Sequence, residues 1–122
     1  MCVVQTFRTA VEAKDMDAVE ALLAEDVVFH SPVVFKPYHG RATVGAILRA
    51  VVEVFEDFTY ERELNDGADQ ALVFRARIGD RQLEGLDLLR LGDDGLITEL
   101  TVLVRPLQGV LALAEAMKAK LA

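Results

Sequence analysis

Gln82-Leu83-Glu84-Gly85-Leu86-Asp87-Leu88-Leu89-Arg90-Leu91 reads as a strand with apolar groups on both faces. Leu83, Leu89 and Leu91 share one parity, Leu86 and Leu88 the other, and a run of this kind is buried on two sides. The segment Leu100-Thr101-Val102-Leu103-Val104 repeats the pattern. Outward from these, period-two segments run from Phe58 to Leu64, Ala71 to Ile78, Gln82 to Leu91 and Leu96 to Arg105. They are separated by Asn65-Asp66-Gly67, Gly79-Asp80 and Gly92-Asp93-Asp94-Gly95, where Gly supplies positive φ and Asn or Asp tolerates it. The spacing predicts a four-strand antiparallel meander, stopped by Pro106.

On the N-terminal side the period lengthens. Val3, Val4, Phe7, Ala10, Val11 and Ala13 recur every three or four residues and predict a first helix. Asp15 or Asp17 is a cap for a short second helix with Val19, Leu22 and Leu23 as its stripe. Val27-Val28-Phe29-His30 reads as a brief strand, and Pro32 and Pro37 impose an irregular loop after it. A third helix is expected from Thr43, an N-cap, to about Glu56-Asp57, with the stripe Val44, Ile47, Leu48, Val51, Val52 and Phe55. Beyond the meander, Leu107, Val110, Leu111, Ala114, Met117 and Leu121 predict a closing helix, with Lys118 and Lys120 near its negative end. The sum is an α+β domain with helices on one sheet face around an apolar pocket. The other face, also apolar, predicts a homodimer joined sheet to sheet, against the alternative of a monomer with a greasy outer face.

The 122 residues suffice for one domain and one core. At 52% hydrophobic and 27% charged the chain is ordered and rather apolar for its size. The net charge of -7 argues against nucleic acid and anionic membrane as partners. Cys2 has no second cysteine to pair with, no signal peptide is read at the N-terminus, and no apolar run is long enough for a bilayer helix; a soluble, cytoplasmic protein is expected.

Asp87 is the residue that breaks the apolar run. A carboxyl buried there without a cation is held towards its neutral form, which makes it a candidate acid or base; the competing reading pairs it with Arg75 or Arg77. His30 and His39 are the only histidines, and neither sits in a metal-ligand spacing, so neither metal nor cofactor is expected. His30 is a general-base candidate if it points inward, and a structural or exposed residue otherwise. Ser31 lies outside any nucleophile-elbow pattern and suits a loop-capping hydroxyl. Phe7, Val11, Phe29, Leu48, Val52, Phe55, Leu89, Val102 and Val104 are the expected pocket lining, with Ser31 at its border.

Three stretches carry a family resemblance: Ala24-Glu25-Asp26-Val27-Val28-Phe29-His30-Ser31-Pro32, then Tyr38-His39-Gly40-Arg41, then Leu86-Asp87-Leu88-Leu89-Arg90-Leu91 with Gly95-Leu96-Ile97-Thr98-Glu99. In this order they resemble the nuclear transport factor 2-like superfamily, in its SnoaL-like and ketosteroid isomerase-like branch. The resemblance implies a cone-shaped, curved mixed sheet, mainly a meander, wrapped by three N-terminal helices and a C-terminal helix. It also implies a small apolar molecule as ligand. Of the isomerase's catalytic groups, the base falls on Ser31 and the tyrosine donor on Phe7, while the neutral aspartic acid finds its counterpart in Asp87. The water-activating Asp-Arg-Asp set of the epoxide hydrolase-like members meets Arg75-Ala76-Arg77 and Glu99 instead. What the resemblance leaves is an isomerase, cyclase or hydratase acting on an apolar carbonyl compound through Asp87, with His30 assisting. The alternative is a binding or dimeric interaction module with a degenerate site.

Overall fold

The computed structural model describes residues 3–121; Cys2 lies outside them. The elements, in chain order, are α1 (Val3–Glu12), α2 (Met16–Ala21), β1 (Leu23–His30), β2 (Tyr38–His39), α3 (Arg41–Val54), β3 (Glu56–Asp66), β4 (Asp69–Ile78), β5 (Arg81–Leu91), β6 (Ile97–Arg105) and α4 (Leu107–Leu121). The strands form one curved, unclosed sheet in the order β2-β1-β6-β5-β4-β3. It is mixed: β1 runs parallel to β6, and the other neighbouring pairs are antiparallel. The expected α+β architecture is therefore the observed one, with the helices on the concave face.

The meander forms because its turns are cheap. Gly67, Gly79 and Gly95 all take positive φ, which closes each connection without Cβ strain. Alternation then sorts the side chains. On β5, Leu83, Gly85, Asp87 and Leu89 are buried on the concave side, while Leu88 and Arg90 are exposed. Gly85 is needed there, because a Cβ at that position would sit 2.1 Å from Cζ of Phe74, which is itself fully buried. The core joins Val4 and Phe7 of α1, Val19 of α2, Val44 and Leu48 of α3, and Leu72, Phe74, Leu89 and Leu100 of the sheet. Gln70, a buried polar residue, ties α1 to the sheet: its Oε1 accepts from Val4 N at 2.8 Å, and its Nε2 donates to Asn65 Oδ1 and Gly67 O.

Several boundaries differ from the sequence expectation. Leu22 and Leu23 do not extend the second helix. Leu22 caps it and Leu23 begins β1, because Ile97 N donates to Leu22 O at 2.8 Å and Arg41 Nε to Leu23 O at 2.9 Å. These contacts across the fold outweigh local helical preference. The third helix starts at Arg41, not after Thr43: Gly40, at φ 96°, turns the chain, receives Val44 N on its carbonyl and donates its own N–H to Val27 O. The two-residue β2, unread in the sequence, lies between Pro37 and Gly40 and pairs Val28 with His39 and Phe29 with Tyr38.

Candidate functional site

Between the concave face of the sheet and the helices lies an apolar cavity of about 170 Å³. Helix α1 contributes Phe7 and Val11, helix α3 contributes Leu48, Val51 and Val52, and Leu113 of α4 closes one side. The sheet supplies Phe29, Phe58, Tyr60, Phe74, Asp87, Leu100 and Val102. Glu12, Lys14 and Asp57 form a charged rim. Two of the rim carboxylates are held by arginines, Glu12 by Arg8 at 3.4 Å and Asp57 by Arg77 at 2.6 Å.

Asp87 reaches this cavity because parity on β5 puts it on the concave side, level with Leu72 of β4 and Val102 of β6. It is 8% exposed, and burial pushes its carboxyl from 3.8 up to about 7. A hydrogen bond from Tyr60 works in the opposite sense and limits the rise. Tyr60 Oη donates to Asp87 Oδ2 at 3.1 Å. Burial first, and then the neighbouring Asp87 carboxylate, raise the Tyr60 hydroxyl well above its ordinary 10, so the phenol keeps its proton and remains a donor. Among the described residues Asp87 Oδ1 takes no hydrogen bond, and no buried side-chain oxygen is left without a partner. Oδ1 is therefore open to the cavity.

The arginine-paired reading of Asp87 is excluded. Arg75 and Arg77 point to the convex side, where Arg75 pairs with Glu61 at 2.7 Å and Arg77 with Glu56 at 2.7 Å and Asp57. Among the described residues no cation compensates Asp87, so the cost of burying its charge is met by favouring the neutral acid.

Phe7, Val11, Phe29, Leu48, Val52, Phe55 and Val102 line the cavity. Leu89 and Val104 do not. Both face the concave side, but Leu89 is packed in the core level with Gln70 and Leu100, and Val104 lies level with Gly85, away from the cavity. His30 also lies elsewhere. Phe29 takes the inward position, so His30 turns outward, level with Thr101, with Nε2 3.7 Å from Glu99 Oε1. Ser31 is a loop cap whose Oγ accepts from Val33 N at 3.0 Å and Val34 N at 3.3 Å, and it takes no part in the cavity wall. Among the described residues no group of three or more His, Cys, Asp and Glu is placed to hold a metal ion.

Tyr60 is the polar site residue that sequence reading missed, along with the apolar lining residues Val51, Phe58, Phe74, Leu100 and Leu113. Its only local signal is its parity with Phe58, and its partner lies 27 positions away. Strand β3 carries a register shift on each side of the Thr59–Tyr60 pair, which obscures that parity.

The family model for the SnoaL-like domain matches residues 4–100. A structure from Pseudomonas aeruginosa described as a steroid delta-isomerase is 42% identical, with a TM-score of 0.93 over 97% of this chain and 88% of that one. An uncharacterised protein with a cystatin-like fold from Silicibacter pomeroyi is 38% identical, with a TM-score of 0.92 over 96% of this chain and 83% of that one. A nuclear transport factor 2-like protein of unknown function from Mesorhizobium loti, 22% identical, shares the fold with a TM-score of 0.75 over 85% of this chain and 88% of that one. The search of curated proteins gives no match. The family model spans most of the chain and agrees with the fold of these neighbours: the chain belongs to the SnoaL-like domain family, within the nuclear transport factor 2-like superfamily.

Proposed function

We propose that the protein is an enzyme of isomerase, cyclase or hydratase type acting on a small apolar carbonyl compound, with Asp87 as the acid/base of its pocket. The observation that supports it is a buried carboxyl with one oxygen anchored by Tyr60 and the other open to an apolar cavity. In the neutral acid, Oδ2 accepts from Tyr60 and Oδ1–H donates to the substrate carbonyl, a bond that strengthens as negative charge gathers on that oxygen. In the ionised form, the same Oδ1 takes a proton from the carbon beside the carbonyl and can return it further along the enolate. A group poised at about 7 serves both directions near neutral pH. The likeness to the Pseudomonas aeruginosa protein described as a steroid delta-isomerase supports carbonyl chemistry of this kind.

Turnover of β,γ-unsaturated ketones, followed by the absorbance of the conjugated product, tests this reading. Asp87→Asn should lower kcat by about two orders of magnitude or more, the usual weight of a general acid or base. The wild-type rate should inflect near pH 7, rising with pH if the carboxylate is the working form and falling if the acid is. Turnover insensitive to Asp87→Asn would remove Asp87 from the chemistry. A second reading, a binding module without catalysis, is favoured by one observation: among the described residues Asp87 and Tyr60 are the only ionisable groups on the inner wall, the rest standing at the rim. Asp87-dependent ketone binding with no turnover of any enone would select it. We further propose that the convex sheet face pairs with a second copy of the chain.

A further inference from the structure

We infer that the substrate is a compact carbonyl compound built on a single six-membered ring, and that anything attached to the ring is polar. This rests on the reading of Asp87 as a carbonyl site and specifies what that site admits. The first support is volume. The cavity of about 170 Å³ is close to the roughly 150 Å³ that holds benzene, and well short of the roughly 300–1,000 Å³ of sites for drug-sized ligands. The second is the end wall beside the acid. Phe58 stacks on Phe74 at 5.0 Å and on Phe55 at 5.7 Å, and its ring meets Tyr60 edge-on at 4.7 Å. Phe74 cannot retreat, because its ring already occupies the space a Cβ would take at Gly85. A carbonyl hydrogen-bonded to Asp87 therefore has its ring stopped by aromatic side chains on that side. The third is the rim. A longer apolar skeleton would have to leave the cavity past Glu12, Lys14 and Asp57, and their hydration would be lost without replacement. A polar substituent can leave there at no such cost.

Binding of a graded set of enones tests the inference: cyclohexenone, a two-ring octalone and a four-ring steroid enone, each titrated by calorimetry. Tyrosine fluorescence gives a second readout, since the chain has two tyrosines and no tryptophan, and only Tyr60 lines the cavity. In the wild type, affinity should fall by about tenfold from the one-ring to the four-ring ligand, against the trend that added apolar area normally sets. Phe58→Ala, which removes the face of the stack, should raise octalone affinity by about tenfold relative to cyclohexenone; Phe55→Leu should do the same in smaller measure should Phe58→Ala fail to fold. Tight binding of the four-ring ligand that is lost in Asp87→Asn overturns the ring limit and leaves the carbonyl site standing. Absence of Asp87-dependent binding across the whole set overturns both.

Discussion

Asp87 and Tyr60 reach each other across β4, from strands that are not hydrogen-bonded neighbours, and their pairing gives the inner wall of the pocket its polar point among the described residues. The burial of Asp87 has a consequence for stability. Its carboxyl titrates at 3.8 when unperturbed and at about 7 in the fold. Between those values the folded protein holds a proton that the unfolded chain has released, so raising the pH across this window favours unfolding. The effect is complete above about 7 and absent below the ordinary value. At about 1.4 kcal/mol per pH unit it is on the order of 4 kcal/mol across the window. Urea unfolding of wild type and Asp87→Asn at pH 5 and pH 8 isolates it from the rest of the acidic surface. Between pH 5 and pH 8 the variant should gain about 2.7 kcal/mol on the wild type, since about two units of the window lie between them, and a constant difference would mean that Asp87 stays ionised in the fold. Tyr60→Phe should move the Asp87 titration above 7, since the lost hydrogen bond is the one that favours the carboxylate; carbon NMR of the carboxyl reads this directly. Asp87 was legible in the sequence because a carboxylate amid leucines is costly wherever the strand lies. Tyr60 was not, because an aromatic residue in a strand looks the same whether its hydroxyl meets water or an acid.

At the level of elements, the sequence yields the meander and loses the junctions. Period-two runs ended by Gly, Asn and Asp specify β4 and β5 closely, since the information is local. The end of α2, the start of α3 and the whole of β2 depend on hydrogen bonds to β1, β6 and Arg41 that no local pattern encodes. Parity carries the same lesson for the site. It places Asp87 and Val102 inward, and it also places Leu89 inward, but it does not tell which part of the concave face the helices leave open. Gly85 links strand geometry to the cavity. Gly85→Ala puts a methyl where the Phe74 ring lies, and Phe74 can move only by disturbing Phe55, Phe58 and Tyr60. The variant should lose about 1–3 kcal/mol of stability, the usual cost of overpacking. It should also bind carbonyl ligands more weakly than wild type, because the displaced ring takes cavity space. Unchanged unfolding midpoint and unchanged ligand affinity would show that the ring has a second resting place.

For the molecule as a whole, the convex face is the feature that a single chain leaves unexplained. Register across the sheet aligns Leu64, Ala71, Leu88 and Thr101 in one row and Val73, Leu86 and Leu103 in the next. Leu64, Leu88 and Leu103 are 56%, 40% and 52% exposed. Rows of paired charges flank this band: Asp69 with Arg90 on one side, and Glu84 with Arg75 and Arg105 on the other. An apolar band between margins that carry both signs can face a copy of itself about a two-fold axis, with each margin meeting charges it can pair with. The accessible surface, 7,039 Å², also exceeds the roughly 6,500 Å² typical of a monomer of this mass, as a chain with an uncovered face should. Light scattering on the eluting protein should therefore give twice the chain mass of 13.4 kDa. Leu88→Arg with Leu103→Arg places two like charges at the centre of the band, where two-fold symmetry doubles them, and should return the single-chain mass with the circular-dichroism spectrum unchanged, since both side chains are half exposed in the chain alone. A wild type of single-chain mass at micromolar concentration, or a double variant that remains paired, would show that the second copy does not sit on this face.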